Sequence, residues 1–165
     1  MIKMKVCMLG AFAAGKTSLV RRYVHSIFSD KYHTTVGVKI DKKKVTAENR
    51  EVDLILWDLH GEDEFQNVRM SYLRGSSGCI YVVDGTRHAT LDAVFNLKST
   101  VESSIGKLPF VLAFNKWDLS QEWEIDEATL DDFRGDGTVF FKTSAKTGLS
   151  VEELFRSLTA MILER

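Results

Sequence analysis

Short apolar runs alternate along this chain with stretches in which apolar residues recur every three to four positions. The runs VCML (6–9), VDLILW (52–57), CIYVV (79–83), FVLAF (110–114) and VFF (139–141) have hardly a polar break. A strand covered on both faces has no solvent side to alternate with, so these runs predict strands inside a layered sheet. A sixth, more mixed strand is expected through Val38 and Ile40 to Val45, turned back into the next by the polar stretch 47–51. Leu19, Val20, Tyr23, Val24 and Ile27 share one helical face, as do Leu91, Val94, Phe95, Val101 and Ile105. Val151, Leu154, Phe155, Leu158, Met161 and Ile162 mark a last helix, with Ser150 and Glu153 spaced as a capping box at its start. A short acidic helix is expected near 126–133. This alternation implies an α/β fold, a mostly parallel sheet with helices on both faces. Such sheets bind ligands beyond the carboxyl ends of their strands.

Composition bounds the function classes. The 165 residues fit a single domain, 1–165, with no repeat, linker or low-complexity segment. An apolar share of 44% and a charged share of 27% are ordinary for a soluble globular chain, and a net charge of −1 leaves no global basic field for nucleic acid. Cys7 and Cys79 both sit in apolar runs, which predicts small core residues kept reduced rather than a disulfide. No apolar run approaches the roughly 20 residues of a membrane span. The start, MIKMKVCMLG, reads as entering a strand directly, so no signal peptide is expected, and no prenylation is expected from these residues, although a trimmed chain would look the same. The expected location is the cytoplasm, with peripheral membrane association where a lipidated tail is supplied.

Chemistry concentrates at the strand ends. Gly10-x-x-x-x-Gly15-Lys16-Thr17 follows the first strand and opens the first helix, the context a phosphate-binding loop requires. Glycines let backbone N–H groups curl around phosphates, and the helix N-terminus favours their charge. Lys16 is placed to reach the β- and γ-phosphates, and the Thr17 hydroxyl to coordinate Mg²⁺. WDLHG (57–61) ends the third strand, where Asp58 would hold the metal through water and Gly61 would offer its N–H to the γ-phosphate. NKWD (115–118) ends the fifth. The Asp118 carboxylate suits two N–H donors on one base edge, N1 and N2 of guanine, which adenine lacks. Asn115 would tie this loop to the phosphate loop, and the Lys116 stem would lie along the base. In TSAK (143–146) the Ala145 N–H would meet the guanine O6 while Ser144 braces the loop. Each tetrapeptide alone also reads as an ordinary polar loop; four in order at successive strand ends do not.

This set resembles that of the Ras-superfamily small GTPases, and the resemblance covers nearly the whole chain. DKYHTTVGVKI (30–40), WDLHGEDEF (57–65) and SYLRGSSGCIYVVDGT (71–86) are most similar to the Rab branch, while AAGKT (13–17) and WDL (57–59) have Arf-like features. The resemblance implies a P-loop NTPase fold with a six-stranded sheet, one strand antiparallel, binding GTP or GDP with Mg²⁺. It implies nucleotide contacts from Ala13, Ala14, Gly15, Lys16, Thr17, Ser18, Phe28, Tyr32, Thr35, Gly61, Asn115, Lys116, Asp118, Ser144, Ala145 and Lys146. Thr35 matches the switch threonine that binds Mg²⁺ and the γ-phosphate, with its neighbour Thr34 as the one-residue alternative. Phe28 matches the aromatic edge-on to guanine, or else is a core residue closing the first helix. Tyr32 matches a tyrosine that covers the phosphates. The implied activity is a GTP/GDP molecular switch that hydrolyses GTP and recruits effectors, with an exchange factor and an activating protein as further partners. The effector patch would be Ile40, Trp57 and Tyr72, although Trp57 is equally at home buried in the sheet.

Two residues depart from that pattern. Glu62 stands where the family carries the glutamine that orients the attacking water, and the bulky Phe12 stands where the loop is normally small. Two unit charges about 5 Å apart at an effective dielectric near 20 repel by roughly 3 kcal/mol, so Glu62 should turn from the phosphates, pair with a cation or take up a proton. Phe12 would exclude an inserted arginine, a contact worth roughly 10³–10⁵ in rate. Lys16, Thr35, Gly61 and Glu62 are thus the candidate catalytic residues, and slow hydrolysis is the expectation. In the contrary reading Phe12 packs on Tyr32 and Glu62 serves as a base through water. An alternative function is a nucleotide-locked scaffold that binds GTP or GDP without cycling.

Overall fold

The computed structural model describes residues 1–29, 38–59 and 70–165. Six strands form one sheet: β1 (Ile2–Gly10), β2 (Val38–Ala47), β3 (Arg50–Leu59), β4 (Gly78–Asp84), β5 (Phe110–Asn115) and β6 (Phe140–Lys142). Their order across the sheet is β2-β3-β1-β4-β5-β6. β2 runs antiparallel to β3, with Ala47 opposite Arg50 at the hairpin end, and the remaining neighbours are parallel. The helices are α1 (Lys16–His25), α2 (Met70–Leu73), α3 (Ala89–Ile105), α4 (Glu127–Gly135) and α5 (Val151–Leu163). This is the expected architecture, including the one antiparallel strand.

The period-2 geometry of strands sorts each central run between two cores. From β1, Met4, Val6 and Met8 join Leu19, Val20 and Tyr23 of α1 and Leu154, Phe155 and Leu158 of α5. The interleaved Cys7 and Leu9 join Leu91, Val94 and Val101 of α3 and Leu130 of α4. The unbroken strand runs exist because both faces are covered. The Tyr23 and Phe155 rings stack at 3.9 Å and lock α1 to α5. Cys7 and Cys79 are free and buried, and burial pushes the Cys79 thiol up to about 12.

Three local expectations are corrected. Ile27 is not on the first helix, which stops when Ser26 turns left-handed (φ 56°) and donates its N–H to Arg22 O; Ile27 is 52% exposed. Phe95 lies on the outer flank of α3, half exposed and stacked on Phe133. Among the described residues Ser150 makes no side-chain capping bond to α5; its backbone is left-handed (φ 56°), not the extended conformation of a capping residue. The acidic helix does form as α4, where the Asp126 carboxylate caps by accepting from Thr129 N–H at 2.9 Å.

Candidate functional site

The carboxyl ends of β1, β3, β4 and β5 and the loop after β6 converge on one rim, with the segment Gly10–Gly15 at its centre. That segment wraps tightly because its carbonyls find donors on its own side. Lys16, only 8% exposed, donates from Nζ to Gly10 O at 2.9 Å and Ala11 O at 3.3 Å. Asn115 Nδ2 donates to Ala14 O at 3.1 Å and Lys116 Nζ to Ala13 O at 3.0 Å. Gly15 (φ 108°) caps α1, and a Cβ there would collide with the Asn115 amide, so this close approach requires glycine. Ala14 is fully buried, Ala13 adopts φ 60°, and Ser18 lies in the first turn of α1.

Beneath the loop, Thr17 Oγ1 donates a short hydrogen bond to Asp58 Oδ2. Asp58 is 1% exposed, and among the described residues its Oδ1 has no hydrogen-bond partner. Burial raises the pKa of this carboxyl, against the Thr17 bond and the ammonium groups of Lys16 and Lys39. Burial also lowers Lys16 to about 8, which Asp58 opposes. Lys39 sits directly across β2–β3 from Asp58. A buried carboxylate with one oxygen unmatched beside a hydroxyl is a hard oxygen set suited to a divalent cation. The donor chemistry therefore fits Mg²⁺.

The flanking loops are braced to each other. Asp118 is exposed, and Ser144 Oγ fixes its rotation by donating to Oδ1 at 2.7 Å. Thr143 Oγ1 donates to Asn115 Oδ1 at 3.1 Å, which orients the amide toward Ala14 O. Ala145 is buried and Lys146 exposed; Arg22 of α1 holds both carbonyls, with Nε donating to Ala145 O at 2.7 Å and Nη2 to Lys146 O. Phe28 is half-buried against the core cluster that contains α1 and α5 residues, as expected of a residue closing the first helix. Phe12 is 39% exposed. Tyr32, Thr34, Thr35, Gly61 and Glu62 lie outside the described residues.

The three candidate patch residues come together. Ile40 is the cross-strand neighbour of Trp57 and is 46% exposed. Trp57 is half-buried, with the Tyr72 ring 6.4 Å away and the Lys5 ammonium 3.7 Å from its ring centre. Neither the buried nor the exposed alternative for Trp57 holds alone, since the residue is only half-buried.

Sequence reasoning missed Arg22, Asp84, Arg87, Thr143 and Trp123. Asp84 ends β4 and is 1% exposed, yet accepts from Thr86, Arg87 and Lys116. Trp123 Nε1 donates to Lys116 O, supporting Lys116 in its left-handed turn (φ 73°), and the Trp123 ring meets Trp117 edge-on. A charged residue at a strand end inside the run CIYVVD was the available signal for Asp84. Thr143 opens the TSAK stretch, which was its signal; Arg22, Arg87 and Trp123 carried none. Among the described residues no helix is long and apolar enough to cross a membrane.

Comparison with known proteins gives the same picture. The model of the Ras family matches residues 5–164. The Ras-related protein Rab-32 of Homo sapiens is 35% identical over 167 residues, covering 96% of this chain and 74% of that protein. Rab-32A of Dictyostelium discoideum is 33% identical over 170 residues, covering 97% and 78%. Rab-13 of Bos taurus is 31% identical over 161 residues, covering 96% and 79%.

Proposed function

Since the chain belongs to the Ras family, as a Rab-like small GTPase, we propose that it is a GTP/GDP switch that turns GTP over slowly and recruits effectors through Ile40, Trp57 and Tyr72. The observation that carries this reading is the convergence at one rim of the carbonyl-braced loop Gly10–Gly15, the unmatched Asp58 Oδ1 and the Ser144-braced Asp118. Backbone N–H groups of Ala13, Ala14, Gly15, Lys16, Thr17 and Ser18 would cradle the phosphates at the start of α1. Asp118 would select guanine by accepting from N1 and N2, and the Ala145 N–H would meet O6, with Lys146 at the loop's outer end. Mg²⁺ would be held by Thr17, Thr35 and, through water, Asp58, and would neutralise charge on the phosphate oxygens. Lys16 would place its ammonium on the same oxygens.

The chain's own residues set the rate. Glu62 repels the polyanion and so leaves the attacking water without its orienting partner, and Phe12 fills the space an inserted arginine needs. Thr35 and Gly61, both contacting the γ-phosphate, would let go when it departs, and the change in the segments carrying them is what an effector reads. Half-buried Trp57, flanked by exposed Ile40 and by Tyr72, suits an aromatic anchor for such a partner.

Single-turnover hydrolysis tests the proposal. Glu62→Gln and Phe12→Gly should each raise the rate, Glu62→Gln by roughly tenfold or more, as expected when a water-orienting group is restored. If neither substitution accelerates turnover, these residues do not limit it. GTP that remains unconverted in every variant would instead favour the non-cycling scaffold.

A further inference from the structure

Behind the phosphate loop stands a buried carboxylate with two cations on it. Asp84 Oδ1 accepts from Thr86 N–H at 2.9 Å and Thr86 Oγ1 at 2.6 Å. Oδ2 accepts from Arg87 Nε at 2.9 Å and Lys116 Nζ at 2.8 Å. Each cation then reaches a loop carbonyl: Arg87 Nη2 donates to Phe12 O at 2.7 Å, and Lys116 Nζ to Ala13 O at 3.0 Å. Those carbonyls belong to the two peptide groups on either side of Ala13. Ala13 itself adopts φ 60°, a left-handed state that a residue with a Cβ disfavours.

We propose that Arg87, held by Asp84, is a positioning residue that pins the Phe12–Ala13 peptide and thereby slows release of the bound guanine nucleotide. The proposal rests on the nucleotide reading above and adds a control element to it. A peptide unit is planar, with its C=O and N–H pointing in opposite directions. Turning Phe12 O outward onto Arg87 aims the Ala13 N–H at the inner side of the loop, where an anion would lie. The backbone at Ala13 is strained toward a flip that would turn that N–H away, and two cations anchored on one carboxylate oppose the flip from both sides. Lys116 belongs to the base-recognition motif, whereas Arg87 comes from the β4–α3 loop and touches the loop only through this bond among the described contacts. The Arg87 fork reaches Asp84 and Phe12 O together, which a lysine cannot reproduce with the same geometry.

The test is displacement of a fluorescent GDP analogue from the Mg²⁺-loaded protein. Arg87→Ala should speed release about tenfold, the loss of one charge-assisted hydrogen bond, with Arg87→Lys intermediate. The arginine is 44% exposed, so the fold should survive, checked by circular dichroism. The decisive arm repeats Arg87→Ala in an Ala13→Gly background. Glycine adopts φ 60° without strain, so the Arg87→Ala acceleration should shrink to about threefold or less. A merely structural role for Arg87 would give the same acceleration in both backgrounds. Equal release rates for native and Arg87→Ala protein, or an acceleration unchanged by Ala13→Gly, overturns the proposal while leaving the nucleotide site intact. A native chain that takes up no GDP analogue overturns the nucleotide reading, and this inference with it.

Discussion

At the scale of single residues, carboxylates divide the labour at the rim. Asp118 is exposed and braced by Ser144, Asp58 is buried beside Thr17, and Asp84 is buried beneath two cations. Asp118→Asn should cost guanine affinity by at least tenfold and favour xanthine, whose edge complements an amide; competitive binding of GDP and XDP measures this, and unchanged guanine affinity would remove the base-recognition role. Asp84 answers to pH. Burial pushes its carboxyl upward, but the bonds from Lys116, Thr86 and Arg87 outweigh burial and hold it below the ordinary range. A folded pKa below the unfolded one contributes stability that is complete above the ordinary aspartate value near 4 and lost as pH falls through the folded value. Urea stability should therefore fall on acidification below about pH 4, and less steeply in Asp84→Asn.

At the scale of elements, the loop after β4 and the stretch after β5 are fitted to each other. Gly85 donates its N–H to Asn115 O and accepts from Glu124 N–H, and the Trp123 ring lies flush on it. A Cβ at residue 85 would enter that ring, through aromatic carbons rather than a flexible chain end. Gly85→Ala should lower stability by about 1–3 kcal/mol in urea titration and shift tryptophan fluorescence, since Trp123 has to move and release Lys116 O. The helices were readable from apolar spacing, because the stripe that packs is the stripe that repeats. Their ends were less so. Ile27 continues the α1 stripe by spacing, yet the helix has already turned at Ser26; Ser150 and Glu153 have the spacing of a cap without its backbone conformation. Spacing records which residues can share a face. It does not record the φ at which the chain enters or leaves a helix.

At the scale of the whole molecule, the ligand and the fold are one thermodynamic system. The proposed nucleotide contacts come from the ends of β1, β3 and β5 and the loop after β6, so binding should stabilise all of them together. GDP at about 100 times its Kd should add about 2.7 kcal/mol and raise Tm by roughly 5–10 °C in thermal melts with Mg²⁺. ATP at the same concentration should leave Tm unchanged, and an equal shift would argue against guanine selection.

The sequence by itself determined the architecture and the strand ends at which the candidate motifs lie. Both are written in short contiguous patterns: apolar runs with polar breaks, and tetrapeptides that a strand end presents as a unit. Only the tertiary structure decided what holds those tetrapeptides in place. Arg22 bonds carbonyls more than 120 positions away, Arg87 one 75 positions away, and Asp84 a lysine 32 positions away. A backbone carbonyl looks the same in every residue, so no spacing rule tells which cation will reach it. That choice is made when the sheet brings the strand ends to one rim and the buried backbone carbonyls there need donors.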